Sequence, residues 1–254
     1  MVALASEPQT VGRVLDSGFK LFVKAFTGVL PLSLAAAAVL AIPNVVHVLM
    51  GGSEQVESPV PASTLLVLFL VALPIYMALI AAVVYRLGAV AELHQASAGQ
   101  ALSRGVRCAL PLVAAALLYL LAMAGGLILL IIPGIILSLS LSFAFIAIVL
   151  DGESALAALK RSHRLVWGNW WRTLVVVSVP VVIVMILYLG LGIAFGASLI
   201  MSEGKPASDM LITVNLTEAA IGGITAPLIY SIMIVQYHDL KLRKEGRDLA
   251  ARLA

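Results

Sequence analysis

Residues 109–150 read ALPLVAAALLYLLAMAGGLILLIIPGIILSLSLSFAFIAIVL, a run of 42 residues without one charged side chain. A helix crossing the hydrocarbon core of a bilayer needs about 20 apolar residues. This run is too long for one span and suits two. Four further apolar stretches, Phe26–Met50, Thr64–Val84, Leu174–Ile200 and Leu216–Gln236, bring the expected number of spans to six. The runs are continuous rather than alternating at period two, which predicts helices and not a barrel. Composition agrees. Of 254 residues, 62% are hydrophobic and 11% charged, with a mean hydropathy of +1.10. A soluble domain carries about 25% charged residues, so a soluble enzyme is excluded, as is intrinsic disorder.

Two breakers divide the long run, Gly125-Gly126 and Pro133-Gly134. The expected turn is at Pro133-Gly134, where proline lacks a donor and glycine accepts a tight turn. A Pro133 kink in a longer fourth helix starting near Gly126 is the alternative. The opening MVALASEPQT has neither the basic nor the apolar region of a signal peptide, so the first span is expected in the mature protein.

Fifteen of the sixteen lysines and arginines fall on one side of a six-span arrangement, and only Lys205 on the other. By the positive-inside rule both termini are expected in the cytoplasm. The loops Gly51–Ala62 and Met201–Met210 carry Glu54, Glu57, Glu203 and Asp209 instead. The pI near 9.1 is explained by this asymmetry, and no nucleic-acid partner is expected.

The basic segments resemble one another. VLDSGFKLFVKAF (14–26), ALSRGVRCALP (101–111) and ALKRSHRLVWGNWW (158–171) align on Leu15, Leu102 and Leu159. Gly18, Gly105 and Ser162 then coincide, as do Lys20, Arg107 and Arg164. The expectation is an all-α integral membrane protein of six transmembrane helices in three hairpins, each preceded by a cytoplasmic amphipathic elbow helix. In domain terms, one polytopic unit comprises an amphipathic helix (1–25), the membrane region (26–236) and a basic tail (237–254). A capping box at Ser6 and Gln9 is expected to open the first helix. Leu156, Leu159, His163, Val166 and Trp170 form an apolar stripe on the third segment, flanked by Lys160, Arg161 and Arg164. Such helices lie against anionic head groups. Lys20, Lys24, Arg104, Arg107, Lys160, Arg161, Arg164, Trp167, Trp170 and Trp171 are therefore the candidate lipid or partner contacts. The three tryptophans also fit an aromatic belt.

Catalytic motifs are missing: no P-loop, HExxH, CxxC pair or GxSxG occurs. No cofactor, metal site or catalytic residue is expected. Cys108 stands alone and reads as a small apolar residue. Glu218 is the acidic group nearest a span, and Asn215-Leu216-Thr217-Glu218 fits a capping box at the start of the sixth helix. An ion or transport role for Glu218 is the alternative, and pairing with His47 is the one enzymatic arrangement available. Gly192 and Gly196 have GxxxG spacing, with packing inside the chain expected.

SGFKLF (17–22), IIPGIILSLSLSFAF (131–145) ending in Asp151, ALAALKRSHRLVWGNWW (155–171) and YHDLKLRKEG (237–246) resemble the YciC-like bacterial inner-membrane proteins. They also resemble the membrane domain attached to some glycerophosphodiester phosphodiesterases. The resemblance implies a six-helix bacterial inner-membrane protein of poorly defined function, linked to envelope or lipid homeostasis, and gives no catalytic residues. The expected function is non-enzymatic: membrane or envelope organisation through lipid or membrane-protein contacts of the cytoplasmic helices. The alternative is a transporter or lipid translocator with a path near Pro133-Gly134. A polar, lipid-sized cavity would favour the second.

Overall fold

The computed structural model describes residues 4–50, 60–129, 131–201 and 208–253, with backbone alone for 127–129, 131–133, 208 and 245–253. All regular secondary structure among these residues is helical. Helix α1 is Val11–Leu49, α2 Ala62–Ala91, α3 Ala98–Leu129 and α4 Ile131–Leu141. A single turn, Ala144–Ile146, and a π-helical turn, Ala147–Asp151, continue α4. Then come α5 Ala155–Val166, α6 Trp170–Met201 and α7 Ser208–Leu253. Six segments are long and apolar enough to cross a membrane: α1, α2, Ala98–Gly126, Gly134–Asp151, α6 and Asp209–Lys244. The protein is a multi-pass helical membrane protein. His238 Nε2 lies 2.9 Å from the Ala5 carbonyl, so both chain ends share a side, the terminal side. The opposite side is the loop side. Glu54, Glu57, Glu203 and Lys205 lie outside the described residues.

The elbows differ from expectation. The 39 residues of α1 and 32 of α3 run unbroken from their basic segments into their spans. At 1.5 Å per residue they reach about 58 and 48 Å, well beyond a 30 Å hydrocarbon layer. Amphipathic and spanning stretches are both helix-compatible, and nothing in sequence forces a joint between them. Only α5 is a separate helix, ended by Trp167-Gly168-Asn169, where Gly168 takes φ 85°. The start of α1 is also later than Ser6-Gln9 implies. Thr10 is the N-cap, its hydroxyl accepting from the Arg13 N–H. The basic tail continues the last span as part of the 46-residue α7.

The chain reverses between Gly126 and Gly134, but the backbone at Pro133-Gly134 is helical and is not the expected turn. α3 ends at Leu129 and α4 begins at Ile131, so both Gly125-Gly126 and Pro133-Gly134 are helical. Proline is at home in a helix's first turn, where its missing N–H would have no intrahelical partner. The two glycine sites face each other instead. A Cβ on Gly126 would stand 2.9 Å from the Gly134 Cα, so the chain has reversed between them.

The three aligned segments share one geometry. Val14, Ala101 and Ala158 are fully buried, and Leu21, Cys108 and Leu165 nearly so. Between them a small residue meets a returning span. A Cβ on Gly18 would lie 2.7 Å from Ile232 Cα on α7, and one on Gly105 would lie 2.1 Å from the Ala78 carbonyl oxygen on α2. Ser162 is fully buried. Its hydroxyl donates to the Ser140 carbonyl at 2.6 Å and accepts the Phe143 N–H at 3.1 Å. Those two backbone groups flank the interruption after α4. Lys20, Arg107 and Arg164 are exposed.

Gly190, Gly192 and Gly196 contrast with these. Among the described residues nothing lies within 4 Å of a Cβ built on any of them, so the GxxxG pair of α6 does not pack on that part of the chain. Gly105→Val is expected to lower stability by roughly 1–3 kcal/mol or prevent folding, because it overpacks a backbone contact. Gly192→Val is expected to change it by less than about 0.5 kcal/mol. Melting of the purified variants in one detergent tests the contrast.

Candidate functional site

Glu218 is not a cap. Because α7 begins at Ser208, Asn215 and Glu218 lie inside the helix. The Asn215 amide donates to the Leu211 carbonyl at 2.9 Å, and Thr217 to that of Thr213 at 2.7 Å. Sequence alone supplies a plausible cap at Asn215 but cannot show that the helix begins two turns earlier.

Glu218 instead lines a cavity of about 290 Å³ in the loop-side half, between α1, α2, α6 and α7. Ser33, Asn44, Tyr76, Tyr188 and Asn215 provide its other polar walls. Small residues create the space. Gly223 meets Leu34 so closely that a Cβ would lie 2.7 Å from it, which draws α7 onto α1. Next to that contact the alanines of both helices, Ala37, Ala41 and Ala219 among them, leave room. The Tyr188 hydroxyl donates to the Glu218 carbonyl at 3.4 Å and ties α6 to the rim. Ser33 is 1% exposed, and its hydroxyl has no partner among the described residues. His47 does not line this cavity.

Two further spaces adjoin it. An apolar groove of about 540 Å³ between α1 and α7, walled by Leu34, Ile42, Val45 and Leu216, shares Ala41 and Ala219 with the cavity. A smaller space of about 120 Å³ shares Tyr76 and Ile80 and extends to Phe145 and Val149. Gly134 is in none of the three linings. Among the described residues no group of three histidine, cysteine or carboxylate side chains could hold a metal.

The terminal side is built differently. Asp239 on α7 is 2% exposed. It accepts the Gln9 N–H at 2.6 Å and guanidinium hydrogen bonds from Arg172 at 3.1 Å and Arg243 at 2.8 Å. Both arginines also donate to the Gln9 carbonyl. Asp151 accepts the Tyr237 hydroxyl at 2.6 Å and pairs with Lys241 at 3.3 Å and Arg161 at 3.4 Å. Arg86 donates to the Gly28 carbonyl. Asp239, Arg172 and Tyr237 carry no motif and were not among the expected site residues. Their role becomes visible only when α6 and α7 are adjacent.

The expected contact residues divide. Arg104 donates twice to the Val149 carbonyl, at 3.0 and 2.9 Å, and caps the π-helical turn. Arg161 pairs with Glu153 at 2.6 Å as well as with Asp151. Burial draws its pKa down, but the Glu153 hydrogen bond and the charges around it outweigh burial and hold it above the ordinary value. These two arginines serve the fold. Lys20 is exposed and paired with Asp16 at 2.6 Å. Lys24, Arg107, Lys160 and Arg164 are exposed. The stripe of α5 is also redistributed. Leu159 and Val166 enter the core, while Leu156, Trp167 and Trp171 are more than half exposed. Trp170 packs on the core and stacks on Trp171 with ring centroids 3.9 Å apart.

Asp239→Ala would leave two half-buried guanidinium groups without their carboxylate. A loss of about 3 kcal/mol is expected, read as a lowered melting temperature, with Lys20→Ala as the control that moves it little.

No curated protein and no solved structure matches the chain. A family model described as a domain of unknown function, DUF7847, matches residues 9–240, and the chain belongs to that family.

Proposed function

We propose that the protein is a non-enzymatic membrane protein that holds an amphiphile between α1, α2, α6 and α7 and acts in membrane-lipid handling. The observation that carries this reading is a polar cavity containing Glu218 that shares a wall with an apolar groove. Ligand sites are typically concave, largely apolar and provided with a few polar groups. Ionisable residues within spans ordinarily mark function. The head of an amphiphile suits the cavity and its chain suits the groove. The likeness to the YciC-like proteins agrees with a lipid role in a bacterial inner membrane with both termini cytoplasmic. Burial at the aligned small residues supports a chain of three related units.

Translocation is a narrower form of the same idea, favoured by the third space that joins the cavity at Tyr76 and Ile80. Toward the terminal side the interior is closed by Val83, Leu87, Phe143, Ile146 and Ile148, each no more than 1% exposed. Holding an amphiphile requires none of these to move, and it is the reading adopted.

The chain purified from its membrane is expected to retain a native amphiphile visible by native mass spectrometry. Ala41→Phe, which fills the wall shared by cavity and groove, should reduce retention roughly tenfold without unfolding the protein. Equal retention by a folded Ala41→Phe variant counts against the reading.

The exposed Leu156, Trp167 and Trp171 beside Lys160 and Arg164 support a second contact, with anionic head groups on the terminal side. Each basic residue there contributes about 1 kcal/mol. Lys160→Gln with Arg164→Gln should weaken binding of soluble anionic lipid analogues by roughly thirtyfold, about 2 kcal/mol, with Arg161 left in its ion pairs. Unchanged binding would reduce α5 to a structural joint.

A further inference from the structure

We propose that the cavity selects a primary ammonium group carried on a hydrocarbon chain. This rests on the amphiphile reading and names the head the site takes. Among the described residues that line the cavity, Glu218 is the only acidic or basic side chain. The salt bridges resolved among the described residues leave it out: their carboxylates are Asp16, Asp151, Glu153 and Asp239. Glu218 is exposed at the cavity, but it sits on a spanning helix, where a carboxylate facing lipid is costly unless a cation accompanies it. Among the described residues no such cation lines the cavity, and we assign that role to the ligand.

The remaining polar groups point to the same chemistry. The buried, unpartnered Ser33 hydroxyl offers an acceptor for an N–H. The Asn215 amide nitrogen is engaged with the Leu211 carbonyl, which leaves its oxygen as the side chain's acceptor. The phenol rings of Tyr76 and Tyr188 attract cations through their faces. A head that ends in phosphate or sulfate would need arginine, lysine or a helix N-terminus, and the described lining has none of these. About 290 Å³ accommodates an ammonium head with its first methylenes. The longer chain continues past Ala41 and Ala219 into the groove walled by Leu34, Ile42, Val45 and Leu216. A primary ammonium occurs both at the end of single-chain alkylamines and at the tip of ethanolamine lipids, whose phosphate would have to stay outside this lining.

The test uses the full chain in neutral maltoside micelles and radiolabelled dodecylamine as the probe. Saturable binding is expected, with no competition from equal concentrations of dodecanol or dodecyl sulfate. Glu218→Gln should weaken binding about tenfold or more, and Glu218→Asp should stay within about threefold of the parent. Competition by short-chain phosphatidylethanolamine, with none by phosphatidylglycerol, supports the site with a lipid as the source. Failure of both lipids to compete supports it with a single-chain amine as the source. Should Glu218→Gln not accumulate, Asn44→Lys places an ammonium in the same lining. Lost binding with a preserved melting temperature then supports the assignment, and undiminished binding overturns it. Equal affinity in parent and Glu218→Gln, or equal competition by dodecanol, overturns the ammonium selection while amphiphile binding stands. Absence of binding by every probe, together with no retained native amphiphile, removes both.

Discussion

The Ala78 carbonyl oxygen occupies the place where a side chain on residue 105 would be. Contacts this close govern the protein, because helices in lipid gain little from exchanging hydrocarbon neighbours for protein ones. Backbone proximity must supply attraction through packing. Gly18, Gly105 and Ser162 perform this at corresponding places, each where a basic segment meets a returning span. Serine replaces glycine in the third because α4 is interrupted there. Two backbone groups need partners, and inside a membrane no water provides them. One hydroxyl that both donates and accepts closes the gap.

The fold is consequently unequal along the membrane normal. The terminal half is locked by Asp239 and Asp151, which draw the N-terminal residues, α5, α6 and the π-helical turn onto α7. Most large, fully buried side chains lie in that half. The loop-side half lacks such pairs among the described residues, and small residues, Ala37, Ala41, Ala219 and Gly222, line its cavity. Space is left where the locking stops, and Glu218 stands in it.

The spans were legible because long apolar runs admit few alternatives in a bilayer. The aligned Gly18, Gly105 and Ser162 were legible because spacing is local information. The elbows were not: a basic amphipathic segment reads alike whether it bends into a span or continues it. Pro133 pointed to the correct neighbourhood and the wrong residue, since proline marks a helix's first turn as readily as a break. Asn215-Leu216-Thr217-Glu218 has the local pattern of a cap. The partners of Glu218 in the cavity come from α1, α2 and α6, up to 185 residues away at Ser33. No local pattern encodes that meeting.

Access to the cavity follows from α6. Its buried residues, Thr173, Val176 and Pro180, are all at the terminal end. Beyond them Ile186, Leu189 and Ile193 are at least 60% exposed, and among the described residues nothing approaches Gly190, Gly192 or Gly196. The loop-side half of α6 therefore stands beside the bundle, held to α7 at the cavity by Tyr188. An occupant entering from the aqueous side would first have to leave the membrane with its chain. One entering laterally along the α1–α7 groove keeps the chain in hydrocarbon throughout and exposes only its head to Glu218. The lateral route avoids the cost of about 0.8 kcal/mol for each methylene brought into water, and the apolar walls of the groove are where such a route must run.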